Sequence, residues 1–193
     1  MTDAVRAVLE AEGITFHLDS AVERVRNLGT EREVAFKTGQ ESMSIRAEMV
    51  LVATGRKVNL EGLGLNEIGV AFDRNGLKPN DRLRTTRPHI FGAGDDTGVH
   101  PFTHAAGYEG GVVLSNAIFR LPRKVNYTYL PWVTNTDPEL ASIGLTEHAA
   151  RAKGIAFRVW SEAFAGNDRS LTEEARVGKI KLILDAKERP LGV

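Results

Sequence analysis

The order of apolar and polar residues changes rhythm along this chain, and each rhythm predicts an element. Between Asp3 and Glu12 the apolar positions Val5, Val8 and Leu9 share one face, which predicts a short amphipathic helix. Gly13 is placed to end it, and Ile14-Thr15-Phe16 predicts a strand leaving it. Three short β-prone stretches follow, Ala21–Arg26, Glu33–Lys37 and Ser42–Arg46, separated by the turn sequences Asn27-Leu28-Gly29 and Thr38-Gly39-Gln40. They predict a small β-meander.

Met49-Val50-Leu51-Val52-Ala53 is a continuous apolar run, the pattern of a strand buried on both faces. Residues 57–83 are loop-rich, broken by Gly62, Gly64, Gly69 and Gly76. A second buried strand is predicted at Ile90-Phe91, opening into Gly92-Ala93-Gly94-Asp95. A long helix follows from about Phe102 to Phe119, with Ala105, Ala106, Val112, Val113, Asn116 and Ala117 as a small, tightly packing face. Pro122 and Pro131 bracket a linker and the expected domain boundary. Beyond it, strands are predicted at Trp132–Thr134, Leu140–Gly144 and Phe157–Glu162, and a helix at Glu147–Lys153. A hairpin from Lys179–Asp185 to Leu191 completes an α+β segment. Because Val193 falls where a strand begins, the expectation is that the sequence is truncated there.

Composition narrows the function classes. The chain has 193 residues, enough for one large domain or two to three partial ones. Lys+Arg and Asp+Glu are both 25, so no long-range attraction to nucleic acid or an anionic membrane is expected. No apolar run approaches the ~18 residues of a membrane span, and the N-terminus lacks the pattern of a secretory signal. The expected address is the cytoplasm. There is no cysteine, which excludes disulfides, thiolate metal sites and dithiol chemistry within these residues. The five histidines show no metal-ligand spacing, so no metal site is expected.

The sharpest chemical signal is Thr85-Thr86-Arg87-Pro88-His89-Ile90-Phe91-Gly92-Ala93-Gly94-Asp95. It places two glycines and a carboxylate where open α/β sheets bind ligands, with a helix N-terminus directed at the same place. Taken alone, a G-x-G-D run reads first as a glycine-rich turn whose Asp caps a helix. Its setting changes that reading. The run Val52-Ala53-Thr54-Gly55-Arg56, Gly76 in a turn, Thr85 through Asp95, and His104 with Glu109-Gly110 together resemble the pyridine nucleotide-disulfide oxidoreductases. That family includes dihydrolipoamide dehydrogenase, mercuric reductase and glutathione reductase. Pro131 through Glu147, Asn167-Asp168-Arg169 and Gly178–Leu182 resemble the start of its dimerisation domain.

The resemblance implies an α/β plus α+β fold. Residues 1–50 would be the C-terminal part of an NAD(P)-binding domain and 51–125 a FAD-binding segment, both Rossmann-like and partial. Residues 126–193 would be the N-terminal part of an α+β dimerisation domain. FAD and NAD(P)H are the implied cofactors. Asp95 would hold the ribitol chain of FAD, with Gly94 giving access. Pro101, Phe102, Thr103 and His104 would line the flavin by backbone contacts, Gly55 would lie against the nicotinamide half, and Val22 would approach the adenine end. His104 reads equally as a packed helix-start residue, and Arg56 as a partner for a carboxylate or for a cofactor. Electrons would pass from NAD(P)H through FAD to a redox disulfide and an acceptor, a small molecule or another disulfide, in a homodimer built on the C-terminal part. Thr136-Asp137-Pro138 and Asn167-Asp168-Arg169 sit closer to the mercuric reductase and lipoamide dehydrogenase members. The family's two G-x-G-x-x-G loops, its C-x4-C pair and its C-terminal His/Glu pair are not in the sequence, so the chain alone is expected to be inactive. The competing reading is a non-catalytic dimerisation or binding fragment that has lost the redox half.

Overall fold

A computed structural model describes residues 2–175 and 177–193, which divide into two compact units, Thr2–Gly55 and Arg56–Val193. The first unit holds helix α1 (Thr2–Ala11) and a three-stranded meander, β1 (Ser20–Asn27), β2 (Arg32–Thr38) and β3 (Glu41–Ala47). Both pairs are antiparallel in the order β1-β2-β3, with Thr38 opposite Glu41 across a two-residue turn. Gly39 takes that turn at φ 60°, a left-handed angle that a side chain would disfavour. The loop before β2 is closed by Asn27 Oδ1, which accepts from the Gly29 amide at 3.0 Å. Phe36 is the buried anchor of the sheet and sits 4.7 Å from the His17 ring. The meander therefore follows the predicted pattern to within a residue or two.

Two predicted strands of this unit do not form. Ile14–Phe16 is irregular chain after α1. Met49–Ala53 is not a buried strand: Met49 is 88% and Leu51 91% exposed. An apolar run becomes a central strand only when neighbours on both sides take its amide and carbonyl groups. Among the described residues no strand pairs with it.

The second unit begins with the loop-rich stretch, which packs Leu60, Val70 and Leu77 into a small core with Val58, Leu65, Phe72 and Ile90. A minimal hairpin, β4 (Phe72–Asp73) and β5 (Gly76–Leu77), emerges from it. The predicted buried strand at Ile90-Phe91 is replaced by a tight loop. Phe91 makes an isolated bridge to Arg84, and both Ile90 and Phe91 are only half-buried. Thr85 explains why, because its hydroxyl donates to the Arg87 and Ile90 carbonyls and folds the Thr86–His89 turn back on itself.

Helix α2 (Thr103–Ala117) buries Ala105, Glu109, Val112 and Asn116 along one face. After it come the antiparallel pair β6 (Trp132–Thr134) and β7 (Leu140–Ser142), then α3 (Glu147–Ala152). Thr146 caps α3, its side chain accepting from the Ala149 amide at 3.1 Å. Strand β8 (Arg158–Ala163), the short helix α4 (Asp168–Thr172), β9 (Lys179–Leu184) and β10 (Pro190–Gly192) complete the chain, the strands forming an antiparallel sheet in the order β10-β9-β8. No helix among the described residues is long and apolar enough to cross a membrane.

Candidate functional site

The site is built where the Leu83–Gly92 loop delivers its chain to the start of α2. Gly92 is buried against Leu77, and the next residues wind into a single tight turn, Gly94–Thr97. Gly94 stands at φ 72°, where a side chain would be strained, and a Cβ there would lie 3.1 Å from Ala106 Cβ on α2. The glycine therefore lets the turn lie directly on the helix. Asp95 follows with half of its side chain exposed, and its Oδ2 accepts from Arg56 Nη1 at 2.9 Å. Arg56 thus pairs with a carboxylate, the first of the two roles open to it. Among the described residues no bond engages the other carboxylate oxygen of Asp95.

The approach to the helix fits a ligand that accepts hydrogen bonds. Pro101 is exposed and Phe102, the residue before the first turn, offers no side-chain cap to the helix amides. An uncapped helix start leaves donors and the positive end of the helix dipole available. Thr103 and His104 are exposed on that first turn. His104 stacks on Phe102, with ring centroids 5.4 Å apart, and its Nε2 donates to the Pro131 carbonyl at 2.7 Å. That bond supports the packing reading of His104 and ties the start of α2 to the chain entering β6.

Six of the expected cofactor residues, Gly94, Asp95, Pro101, Phe102, Thr103 and His104, therefore belong to the turn and helix start of one unit. Gly55 and Val22 belong to the other. Gly55 sits at φ 135° with open space where a Cβ would be. Val22 is exposed on β1, an edge strand, beside an irregularity in register between Val22 and Arg24. Such edges offer backbone groups that no neighbouring strand uses.

The geometry also contains a residue to which the sequence reading gave no role. Glu109 is fully buried, and its Oε2 accepts from the Gly94 amide at 2.6 Å while its Oε1 accepts from the Tyr127 hydroxyl at 2.6 Å. Burial, and then the hydrogen bond to Glu109, push the Tyr127 phenol far above its ordinary range, so it stays a donor. The signal was present: Ala105, Glu109, Val112 and Asn116 recur at helical spacing, which puts Glu109 on the inward face. His100 is half-buried beside Tyr127, its ring centroid 4.3 Å from that of the tyrosine.

Residues 1–110 match the family model described as pyridine nucleotide-disulphide oxidoreductase, and residues 130–193 match that family's dimerisation domain. The chain belongs to the pyridine nucleotide-disulphide oxidoreductases. It is 35% identical over 177 residues to a dihydrolipoyl dehydrogenase of Bacillus subtilis, covering 92% of this chain and 38% of that protein. It is also 35% identical over 188 residues to a mercuric reductase of Bacillus cereus, covering 97% of this chain and 30% of that protein. Among solved structures, an HOCl-induced flavoprotein disulfide reductase from Escherichia coli superposes with a TM-score of 0.85 at 25% identity, over 98% of this chain and 43% of that one. The chain thus spans well under half the length of these relatives. The family is one of FAD- and NAD(P)H-dependent oxidoreductases, and its α/β and α+β layout is the fold described above.

Proposed function

We propose that this chain supplies the ribityl side of a FAD site, in a subunit that passes electrons from NAD(P)H through FAD to a redox disulfide and on to an acceptor. The observation that carries the reading is the Gly92–Asp95 turn, seated on an uncapped helix start with a half-exposed carboxylate at its tip. When bound, the isoalloxazine would supply the two-electron relay between nicotinamide and disulfide. The chain's own residues would bind and orient. Asp95 would accept from ribityl hydroxyls, Gly94 would allow the close approach, and Pro101 through His104 would face the flavin with backbone groups. Gly55 and Val22 would meet the nicotinamide and adenine ends of NAD(P)H through the main chain. Arg56, 2.9 Å from Asp95 Oδ2, aims that carboxylate.

The chain has no cysteine, so the disulfide that would take electrons from the flavin lies in other residues, and these 193 residues alone should not turn over. The names of the relatives point to a lipoyl-type dithiol/disulfide couple or mercuric ion as the class of redox partner. A cytoplasmic homodimer, joined through residues 126–193, is the assembly we favour. The absence of cysteine also supports a second reading, a dimerisation fragment that binds no flavin productively.

Equilibrium titration with FAD, followed by flavin fluorescence, separates the two. The purified chain should carry little flavin as isolated, because its sequence has no G-x-G-x-x-G loop for the pyrophosphate, yet should bind added FAD weakly. Asp95→Ala should weaken that binding at least ~10-fold, the loss expected for a charge-assisted hydrogen bond. Equal binding by Asp95→Ala would remove the ribityl assignment. No binding by the native chain would favour the second reading.

A further inference from the structure

Glu109 is the one charged side chain, among the described residues, that is both fully buried and bonded to the proposed flavin turn. A carboxylate with no contact to water is strongly unfavourable unless its oxygens are satisfied. Here one oxygen takes the Gly94 amide and the other the Tyr127 hydroxyl, both at 2.6 Å. The two donors come from opposite sides of α2 in sequence. Gly94 lies in the turn before it, and Tyr127 lies in the segment after it, leading to β6.

That later segment is held independently of Tyr127. The Val125 amide donates to the Asp81 carbonyl at 2.8 Å, and the Arg123 amide to Asn116 Oδ1 at 2.8 Å. The Asn126 amide donates to the Tyr108 hydroxyl at 2.7 Å. Tyr127 is therefore carried to Glu109 by a strap already fastened across α2. Gly94, by contrast, sits at a left-handed φ of 72° with its amide pointed into the helix. The Glu109 carboxylate takes its amide, while the Thr97 hydroxyl donates to its carbonyl at 2.9 Å.

We propose that Glu109 is a positioning residue for the Gly94–Asp95 turn, acting jointly with Tyr127, so that the docked 123–127 strap fixes how Asp95 is presented to the ribityl chain. The ligand half of this inference rests on the flavin reading above. Glu109 does not touch the cofactor in this scheme; it acts through Gly94. Removing the Tyr127 hydroxyl leaves the carboxylate one donor short in a place that water does not reach. Its remaining bond, to Gly94, must then change.

The test is made on the full chain with Tyr127→Phe, which removes one oxygen, and Glu109→Gln, which keeps shape but turns one acceptor into a donor. In the native protein the Gly94 amide proton should resonate far downfield, as a short bond to a carboxylate demands. In Tyr127→Phe that resonance should shift, and hydrogen exchange at Gly94–Asp96 should accelerate about 10-fold or more. Amides of Val112–Asn116 in α2 and of β8–β9 should keep their protection. The FAD dissociation constant should rise about 10-fold, and Glu109→Gln should move every readout in the same direction and further.

Native resonance and exchange at Gly94 in Tyr127→Phe would overturn the proposal. So would loss of protection spread evenly over helix and turn, which is what a packing role alone gives. A native chain that shows the downfield Gly94 amide but takes up no FAD would overturn the flavin reading and the ribityl half of this proposal. One that binds FAD equally well with and without the Tyr127 hydroxyl would overturn the proposal alone.

Discussion

A Cβ placed on Gly98 would lie 1.6 Å from the Asn75 carbonyl oxygen, closer than any contact allows, and the residue's φ of 67° already favours glycine. Gly76 meets the same junction from the other side, where a Cβ would lie 2.5 Å from the Asp96 carbonyl oxygen. Two glycines thus let the β4–β5 turn press backbone to backbone on the turn that carries Asp95. Gly98→Ala must move that junction, so it should cost about 3 kcal/mol or more by urea denaturation, with strain and displaced backbone both contributing. Gly29→Ala, at φ 98° with open space around it, carries only the backbone penalty and should cost about 1–2 kcal/mol. Equal losses for the two variants would mean that the Gly98 junction relaxes freely.

At the scale of elements, Asn116 and Glu147 each fasten one helix to its surroundings. Asn116, nearly fully buried, donates from Nδ2 to the Arg82 and Arg123 carbonyls and accepts from the Arg123 amide. Asn116→Leu would strand three backbone groups and should destabilise the chain by about 3 kcal/mol, read from the shift in urea midpoint. Glu147 on α3 accepts from Lys181 of β9 at 2.6 Å and from Arg151 at 2.8 Å. The Lys181 hydrogen bond is the main cause holding its carboxyl below the usual glutamate range; partial burial opposes it, and the Lys181 and Arg151 charges add to it. A carboxyl depressed on folding stabilises above its unfolded value, about 4.3, and that contribution is lost as pH falls through the lower folded value. Native protein should therefore exceed Lys181→Met in urea midpoint at pH 7, and the gap should close as the pH approaches 3. A gap independent of pH would show that packing, and not the ion pair, joins α3 to β9.

These elements were legible in the sequence where the pattern is local. The meander, α2, α3 and the β9–β10 hairpin follow from alternation, helical spacing and turn residues that act within a few positions. Met49–Ala53 was misread because an apolar run specifies burial only together with the strands beside it, and the described residues contain none that pairs with it. Ile90-Phe91 was misread because the Thr85 hydroxyl folds the loop, a single side-chain choice that periodicity does not register. In the candidate site, Gly94 and Asp95 were legible as a motif. The partner for Arg56 was not, since it lies 39 residues away in sequence. Glu109 stood in plain view on the inward face, and the surprise there is its charge.

At the scale of the whole molecule, two stretches expose apolar side chains that a second copy of the chain could cover. Every residue of β8 is exposed, including Val159 and Trp160, and as an edge strand it leaves one row of amide and carbonyl groups without a strand partner. It also lies within the residues matched to the dimerisation domain. The Met49–Val52 run exposes four apolar side chains in the other unit but forms no strand and so offers no ladder to extend. Sedimentation equilibrium separates them. If β8 carries self-association, mass should rise with concentration towards a dimer, and Trp160→Lys should return it to the monomer, because a buried lysine opposite its own copy repels. Leu51→Lys should leave the dimer intact and lower only dye binding to exposed apolar surface. The reverse pattern, dimer lost with Leu51→Lys and kept with Trp160→Lys, would place the contact outside residues 126–193 and sink the assembly proposed here.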